Sequence, residues 1–312
     1  MHNSSENIAR HILLSITMCS LLMFLAQCTR PRFVPDGYII ISAQVFAVVK
    51  YTQAHPEGTI IYHLDNAGNY MITAVAYDPE RKLIAIAEQN KEPQRGTAVI
   101  KIFDEKTSSV VNEIVTKKDR IYGMAIDREG RMVFATGDIF LDNPGELCYL
   151  SRDDGIVQTI AKGAHFFSPA WSKDSKRVYF GYSFSYKQSP SDHIGYVEVA
   201  IPHIIRQIAE GRSVSVSESG KVAYLTNDGN ILIQKTDDIS VSSKQLLKHV
   251  DPKFTENIRF VKGSEDMVLQ HYRKGNLYDL ILLQVPYKVE KVMLPYVGMQ
   301  DFDIAYVKEK NL

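Results

Sequence analysis

A repeat of about 45 residues is the feature of this sequence that most constrains its fold. Five segments each read as a short apolar run, a polar turn with glycine or charged residues, and a second apolar run. The period is regular, and such regularity predicts copies of one supersecondary unit that are stable only when stacked on one another. When the turns are aligned, they start at positions 78, 127, 172, 217 and 262, with separations of 49, 45, 45 and 45 residues.

Each repeat has room for four short strands. The first repeat continues with apolar runs at 98–103 and 110–115, and the third continues with runs at 193–199 and 204–208. These runs are rich in β-branched and aromatic residues, and no repeat contains a long capped stretch with helical periodicity. We therefore predict an all-β protein, a β-propeller whose blades are four-stranded antiparallel sheets.

The two ends of the repeat region predict how the ring of blades closes. One further period after position 262 falls within 302–308, which is a single apolar run. Three strand-like runs near the start, at 38–42, 44–50 and 59–63, lack a first strand. We expect the last run to complete this blade, which gives six blades. Seven blades are the alternative, but they require a further unit within 64–73, which is too short for four strands.

One segment resembles a known repeat. The run Phe167–Phe180, FSPAWSKDSKRVYF, is similar to the repeat of TolB-type WD-like propellers, and the stretch 99–127 is loosely similar to the repeats of YVTN-type propellers related to lactonases. The resemblance implies a propeller fold and often an exported protein. We find no counterpart of the additional N-terminal domain of TolB, so we expect a relative of the repeat and not TolB itself.

The N-terminal residues predict export. Residues 12–26 form an apolar run that is followed by Arg30 and Arg32. As a helix this run would rise about 22 Å, less than the roughly 30 Å of a bilayer core, which favours a signal peptide over a membrane span. The expected organisation is a signal peptide or membrane-anchor helix at 1–28, a linker at 29–35 and the propeller at 36–312.

Three outcomes of processing remain open. The sequence Leu25–Cys28 resembles a bacterial lipobox, which would make Cys28 a lipid attachment site, although Gln27 stands where that motif has a small residue. Cleavage before Thr29 would release a soluble protein. An uncleaved helix would act as an anchor, but Arg30 follows the apolar run, and positive residues favour the cytoplasmic side of a membrane helix. All three predict a periplasmic or membrane-anchored protein whose membrane contact is limited to the N-terminal helix or lipid.

Composition and motifs favour binding over catalysis. The 36 basic residues equal the 36 acidic ones, so we expect no nucleic-acid partner. The sequence contains no hydrolase elbow, zinc-protease or phosphate-loop motif, and we expect no cofactor. Cys148 lies in a strand-like run and is expected to be a buried apolar residue. Because lactonase-type propellers bind a divalent cation in the channel, a metal-dependent hydrolase is the alternative function. Its candidate ligands are Asn69, Glu256, Asn257 and Asp301.

Unequal loops predict where a partner binds. The loops between the second and third strands are long in the first three repeats, at 89–97, 137–145 and 182–193. The next two repeats have tight turns, and loops beyond the minimum length often carry function. We predict a monomeric propeller that binds another envelope protein, with a small-molecule or glycan sensor as a further alternative. The candidate binding residues are Arg95, Phe140, Asp142, Asn143, Phe184, Tyr186 and Lys187, with Tyr122 and His165 beside the channel.

Overall fold

Among the residues described by the computed structural model, all regular secondary structure is β-strand. The structure describes residues 31–65, 68–90, 97–118, 120–137, 144–151, 155–184, 192–235, 244–274, 277–285, 289–299 and 301–307. The chain divides into two compact units, 1–32 and 33–312, and the second contains every strand. The predicted N-terminal helix and Cys28 lie outside the described residues. Within those ranges, no helix has the length and apolar character needed to cross a bilayer.

Within the described ranges, twenty-three strands follow one another along the chain. They are β1 Tyr38–Ala43, β2 Ala47–Tyr51, β3 Thr59–His63, β4 Tyr70–Asp78, β5 Leu83–Asn90, β6 Val99–Asp104, β7 Ser109–Val115, β8 Arg120–Ile126, β9 Met132–Gly137, β10 Gly145–Leu150, β11 Val157–Trp171, β12 Arg177–Ser183, β13 His193–Glu198, β14 Ile201–Glu210, β15 Ser213–Val216, β16 Lys221–Leu225, β17 Asn230–Lys235, β18 Gln245–His249, β19 Thr255–Phe260, β20 Met267–Lys274, β21 Leu277–Gln284, β22 Val289–Gly298 and β23 Asp301–Tyr306.

The strands form antiparallel sheets in units of four. Three sheets have the orders β4-β5-β6-β7, β15-β16-β17-β18 and β19-β20-β21-β22. A seven-stranded sheet runs from β8 to β14, and its central strand β11 is 15 residues long. The first half of β11 pairs with β10 and the second half pairs with β12, so the large sheet consists of two four-stranded units that share one strand. The all-β prediction and its four-stranded repeat are confirmed.

The strand nearest the C-terminus joins the strands nearest the N-terminus. β23 pairs antiparallel with β1 from Tyr38↔Tyr306 to Ala43↔Asp301, and the order of this sheet is β23-β1-β2-β3. Three of its strands therefore come from the start of the repeat region and one comes from the end.

One strand from each four-stranded unit contacts its counterparts in the neighbouring units. We call β23, β4, β8, the second half of β11, β15 and β19 the inner strands. Contacts run from each of these to the next in that order, and β19 also contacts β23. The inner strands are largely buried, whereas the fourth strands β3, β7, β14 and β18 are mostly exposed.

The apolar core lies between the sheets. Phe302 and Ile304 of β23, for example, belong to one buried cluster with Val268 and Leu280 of the neighbouring sheet. Burying a side chain of this size contributes about 1.5–3 kcal/mol, and the face of a single sheet cannot supply such a cluster alone. The arrangement holds the inner strands in place, and their ends form the site described next.

Candidate functional site

A cavity of about 140 Å³ opens where the C-terminal ends of the inner strands meet. We call it the axial cavity. Every inner strand supplies part of its wall. The contributions include Tyr77 from β4, Met124 from β8, Trp171 from β11, Val214 from β15, Phe260 from β19 and Asp303 from β23.

The axial cavity lies at the end opposite to the predicted binding loops. Tyr70 at the start of β4 pairs with Asn90 at the end of β5, and His165 pairs with Ser183 at the end of β12. The chain therefore leaves β5 and β12, and likewise β9, beside the N-terminal ends of the inner strands. We call this end the loop end.

Three of the predicted binding residues lie within the described ranges, all at the loop end. The side chain of Phe184 is 66% exposed, and its ring lies 5.5 Å from that of Tyr182 and 6.2 Å from that of His193. Tyr122 is half-buried, whereas His165 is buried, which argues against a surface contact through His165. Neither lines the axial cavity. The other candidates, Arg95, Phe140, Asp142, Asn143, Tyr186 and Lys187, lie outside the described residues.

The candidate metal ligands are used in other ways. Asn257 Oδ1 accepts hydrogen bonds from the hydroxyls of Ser213 at 2.5 Å and Ser168 at 3.4 Å. Asp301 pairs with Arg259. Asn69 and Glu256 are exposed. Among the residues that the structure describes, no three histidine, cysteine, aspartate or glutamate side chains are grouped as a metal site would require.

Charged groups form one wall of the axial cavity. Asp303 Oδ2 accepts the Tyr77 N–H at 2.8 Å and lies 2.6 Å from Lys262 Nζ. Lys262 Nζ also donates to the carbonyl oxygen of Tyr77, and Arg259 donates to the carbonyl oxygen of Phe302. These contacts tie together β19, β23 and β4.

Asp303 and Asp301, which is two residues away and does not line the cavity, have opposite pKa shifts. Burial raises the pKa of Asp301 to about 6, although Arg259 acts in the other direction. For Asp303, burial also acts to raise the pKa, but the charges of Lys262 and Arg259 outweigh it and hold the pKa below its ordinary value. The Asp303 carboxylate is therefore ionised at neutral pH and supplies a negative charge to this wall.

The opposite wall comes from the segment that resembles the TolB-type repeat, and it combines apolar residues with the polar residues Ser168, Ser172, Lys173 and Ser175. Trp171, the single tryptophan of the chain, is 8% exposed and donates from Nε1 to the Ala125 carbonyl at 3.3 Å. Ser168 has a φ of 49°, in the left-handed region, where β11 is irregularly paired with β12. Pro169, which follows it, lies against Gly123, where a Cβ would be only 3.1 Å from the proline ring.

An exposed ion pair crosses part of the rim of the axial cavity. Arg128, in the turn after β8, lies 3.6 Å from Glu218, in the turn after β15. Glu218 also accepts the Gly263 N–H at 3.0 Å. Both charged side chains are about half exposed, so the pair has access to solvent and contributes little stability.

Cys148 fulfils the prediction of a buried apolar residue. Its side chain is fully buried in a cluster with Met132 and Phe134, and burial raises the pKa of the thiol to about 12. A thiol with that pKa is protonated at neutral pH and is a poor nucleophile.

Comparison with known proteins supports the fold. No protein-family model matches the chain, and no curated protein matches it. A β-propeller chain from the crystal structure of a nidogen/laminin complex is similar, with a TM-score of 0.63 and 10% identity, over 86% of this chain and 98% of that chain. At this identity the likeness shows a β-propeller fold alone and does not identify the repeats as TolB-type. In all, 1089 chains of solved structures match, and a fold shared so widely does not indicate a particular function.

Proposed function

We propose that this protein is an exported, non-enzymatic, six-bladed β-propeller that binds another protein of the cell envelope. The observation that carries the proposal is the exposed aromatic ring of Phe184, which lies directly after β12 where the longest predicted loop begins. Aromatic side chains with few rotatable bonds bury a large area at small entropic cost and dominate protein interfaces.

The surroundings of Phe184 fit a preformed contact. Its ring meets Tyr182 edge-on, with an interplanar angle of 85°, and Tyr182 is itself buried. An exposed ring that is already supported on a buried one loses little freedom when a partner covers it. Tyr186 and Lys187 follow in the sequence, and we include them in the proposed contact surface with Arg95, Phe140, Asp142 and Asn143.

The six-bladed ring is supported by the contacts of the inner strands. They follow one another in a cycle of six that returns to its first member, and the shared strand β11 explains why the six units appear as five sheets. The pairing of β23 with β1 supports closure by the two ends of the repeat region.

Export is supported by the apolar run at 12–26. Mass spectrometry of the N-terminus of the protein purified from cells tests this proposal directly. A diacylglycerol mass on Cys28, a new N-terminus at Thr29 or an intact anchor each correspond to one form of export. An intact chain recovered from the cytoplasm would contradict export in any form.

A capture experiment tests the binding role. The wild type, the variant Phe184→Ala/Tyr186→Ala and the control Val111→Ala, at an exposed position of β7, are crosslinked in cells and the captured envelope proteins are quantified. We expect at least one protein to be recovered with the wild type and the control but lost with the double variant. Equal recovery of all proteins by the three would refute the assigned surface.

The similar propeller in the nidogen/laminin complex is part of a protein–protein complex, which is consistent with a binding role here. The partner of this chain is therefore sought among proteins first.

A further inference from the structure

We propose that the axial cavity binds a small carboxylate with an apolar body. This site lies at the opposite end of the inner strands from Phe184 and is independent of the proposed protein contact. The inference rests on three observations. One wall carries hydrogen-bond donors that are not fully engaged, the buried acids of the cavity are already paired with cations, and apolar side chains lie on the wall that faces the donors.

The donors come from β15, β19 and the residues just after β19. Ser215 Oγ accepts the Phe260 N–H at 2.8 Å, and among the described residues we find no acceptor for the hydroxyl proton. Lys262 uses two of its three ammonium protons, on Asp303 and on the Tyr77 carbonyl. Arg259 directs two of its five N–H groups to β23. Both cationic side chains are largely buried, at 13% exposure for Arg259 and 25% for Lys262.

Five acids line the cavity. Glu80 and Glu218 are exposed to solvent, and the other three are buried and paired with a cation, which reduces their repulsion of an anion. Their partners are arginine or lysine side chains in the same or the adjacent inner-strand segment, at distances that allow direct hydrogen bonds. The pairs are Asp78–Arg81 at 2.5 Å, Asp127–Arg131 at 2.6 Å and Asp303–Lys262 at 2.6 Å. A carboxylate that enters therefore meets cationic donors that still have N–H groups to offer, and charge-assisted hydrogen bonds of this kind are the strong ones.

Part of the remaining wall suits an apolar body. Trp171, Met124, Val214 and Phe260 are buried and line the cavity, and Ala170 adds a small side chain beside them. The volume of about 140 Å³ is close to the roughly 150 Å³ of an engineered apolar cavity that accepts benzene. The ligand is therefore about the size of one aromatic ring or a short branched chain, and a disaccharide is too large.

The backbone of the wall that contains Trp171 is strained, which supports a specific binding site. Ser168 holds a left-handed conformation, which is unfavourable for a residue other than glycine, and its hydroxyl donates a hydrogen bond to Asn257 Oδ1 at 3.4 Å. The consequence is that Pro169 and Ala170 face the cavity. A regular strand would need no such distortion.

Trp171 makes the proposal directly testable, because it is the single tryptophan of the chain and lies in the wall of the cavity. The full-length protein is titrated with benzoate, benzamide and benzylamine, and Trp171 fluorescence is recorded. We expect saturable binding of benzoate, about tenfold tighter than that of benzamide because only the carboxylate forms charge-assisted bonds, and the weakest binding for benzylamine. Equal affinity for benzoate and benzamide, or no saturable response to benzoate, would overturn the proposal.

Two variants separate occupation of the cavity from loss of folding. Ala170→Phe should fill the cavity and abolish the benzoate response, whereas Val111→Phe on the exposed strand β7 adds the same bulk elsewhere and should leave it intact. Thermal unfolding of both checks the fold, and benzoate should raise the Tm of the wild type and the control alone. Retention of benzoate binding by a folded Ala170→Phe variant would contradict the site.

The charged wall is tested with Lys262→Met. We expect the preference for benzoate over benzamide to fall several-fold, provided that thermal unfolding shows a folded variant. An unchanged preference in the folded variant would exclude the donor wall. The variant Phe184→Ala/Tyr186→Ala should bind benzoate like the wild type, so that failure of the protein contact and failure of the axial cavity are distinguishable.

Discussion

Two junctions between inner strands are held by hydrogen bonds from backbone N–H groups to side-chain oxygens. The oxygens belong to hydroxyl groups at one junction and to carboxylates at the other. At the serine junction, between β15 and β19, a side-chain oxygen of one strand accepts a backbone N–H of the next. Ser213 Oγ accepts the Ile258 N–H at 3.0 Å, and Ser215 Oγ accepts the Phe260 N–H at 2.8 Å. Every atom in these two bonds is uncharged.

At the aspartate junction, between β23 and β4, carboxylates replace the hydroxyls. Asp301 Oδ2 accepts the Val75 N–H at 3.1 Å, and Asp303 Oδ2 accepts the Tyr77 N–H at 2.8 Å. Both acids are buried, and burial of a carboxylate is costly unless it is paired. The pairing groups come from a third strand, because Arg259 is in β19 and Lys262 directly follows it.

The difference between the two junctions shows which inner strand needs additional stabilisation. β15 and β19 each pair with strands that follow them directly along the chain, whereas β23 pairs with β1, more than 250 residues away. Closing a contact over a long stretch of chain costs more conformational entropy. The charges that bind β23 to β19, and its hydrogen bonds to β4, therefore stabilise the strand that the local sequence secures least.

The largest effect is expected from breaking the aspartate junction at its centre. Asp303→Ala removes the partner of Lys262 and the acceptor of the Tyr77 N–H, and leaves buried charge uncompensated. We expect the free energy of unfolding in urea to fall by about 3–5 kcal/mol. Glu113→Ala, at an exposed position of β7, is the control. A loss for Asp303→Ala no greater than that of the control would show that the charges do not hold β23.

A smaller effect, and one that depends on pH, is expected from Asp301. The pKa of Asp301 is raised from 3.8 to about 6 in the folded protein, so between these values the folded state keeps a proton that the unfolded state releases. Stability from this group is full below pH 3.8 and is lost as the pH rises to 6, by up to about 3 kcal/mol. Asp301→Asn should remove this fall when urea unfolding is measured from pH 4 to 7. Parallel profiles for variant and wild type would contradict the shift.

The smallest effect is expected at the serine junction. Ser215→Ala leaves the buried Phe260 N–H without its acceptor, which should lower the free energy of unfolding by about 1–2 kcal/mol. Ser215→Thr keeps the hydroxyl and serves as the matched variant, with a smaller loss expected. The loss for Ser215→Ala should be the same at pH 4 and pH 7, because no charge is involved. A loss as large as that of Asp303→Ala would remove the distinction between the two junctions.

Much of the fold is readable from the sequence because strands and turns are coded locally. The five repeat segments correspond to β4–β5, β8–β9, the second half of β11 with β12, β15–β16 and β19–β20. The pairing of β23 with β1 also follows from the repeat, since the missing first strand and the surplus last strand are complementary. The repeat does not predict that β11 continues without interruption from one unit into the next, because the period defines each unit separately.

The axial cavity was missed by sequence reasoning, which placed the candidate site at the other end of the inner strands. Its residues come from six segments about 45 residues apart, and Ser215 or Met124 carries no motif of its own. The available signal is positional, because the lining residues other than Asp303 fall within four residues of the aligned turn starts. Asn257 and Asp301 were assigned to a metal because their residue types suit one, but nothing local shows that hydroxyls, amides and an arginine occupy them.

The sequence by itself determines the strands, their grouping in fours and the partnership of the two ends of the repeat region, because alternation of apolar residues, turn residues and a fixed period are local or periodic properties of a chain. The tertiary structure alone decides which side chains share a space. It sets Arg259 and Lys262 against Asp303, turns the strained Ser168–Trp171 segment towards them, and leaves Phe184 exposed at the far end. These relations depend on distances between residues far apart in the chain, which only the packing of one sheet against the next establishes.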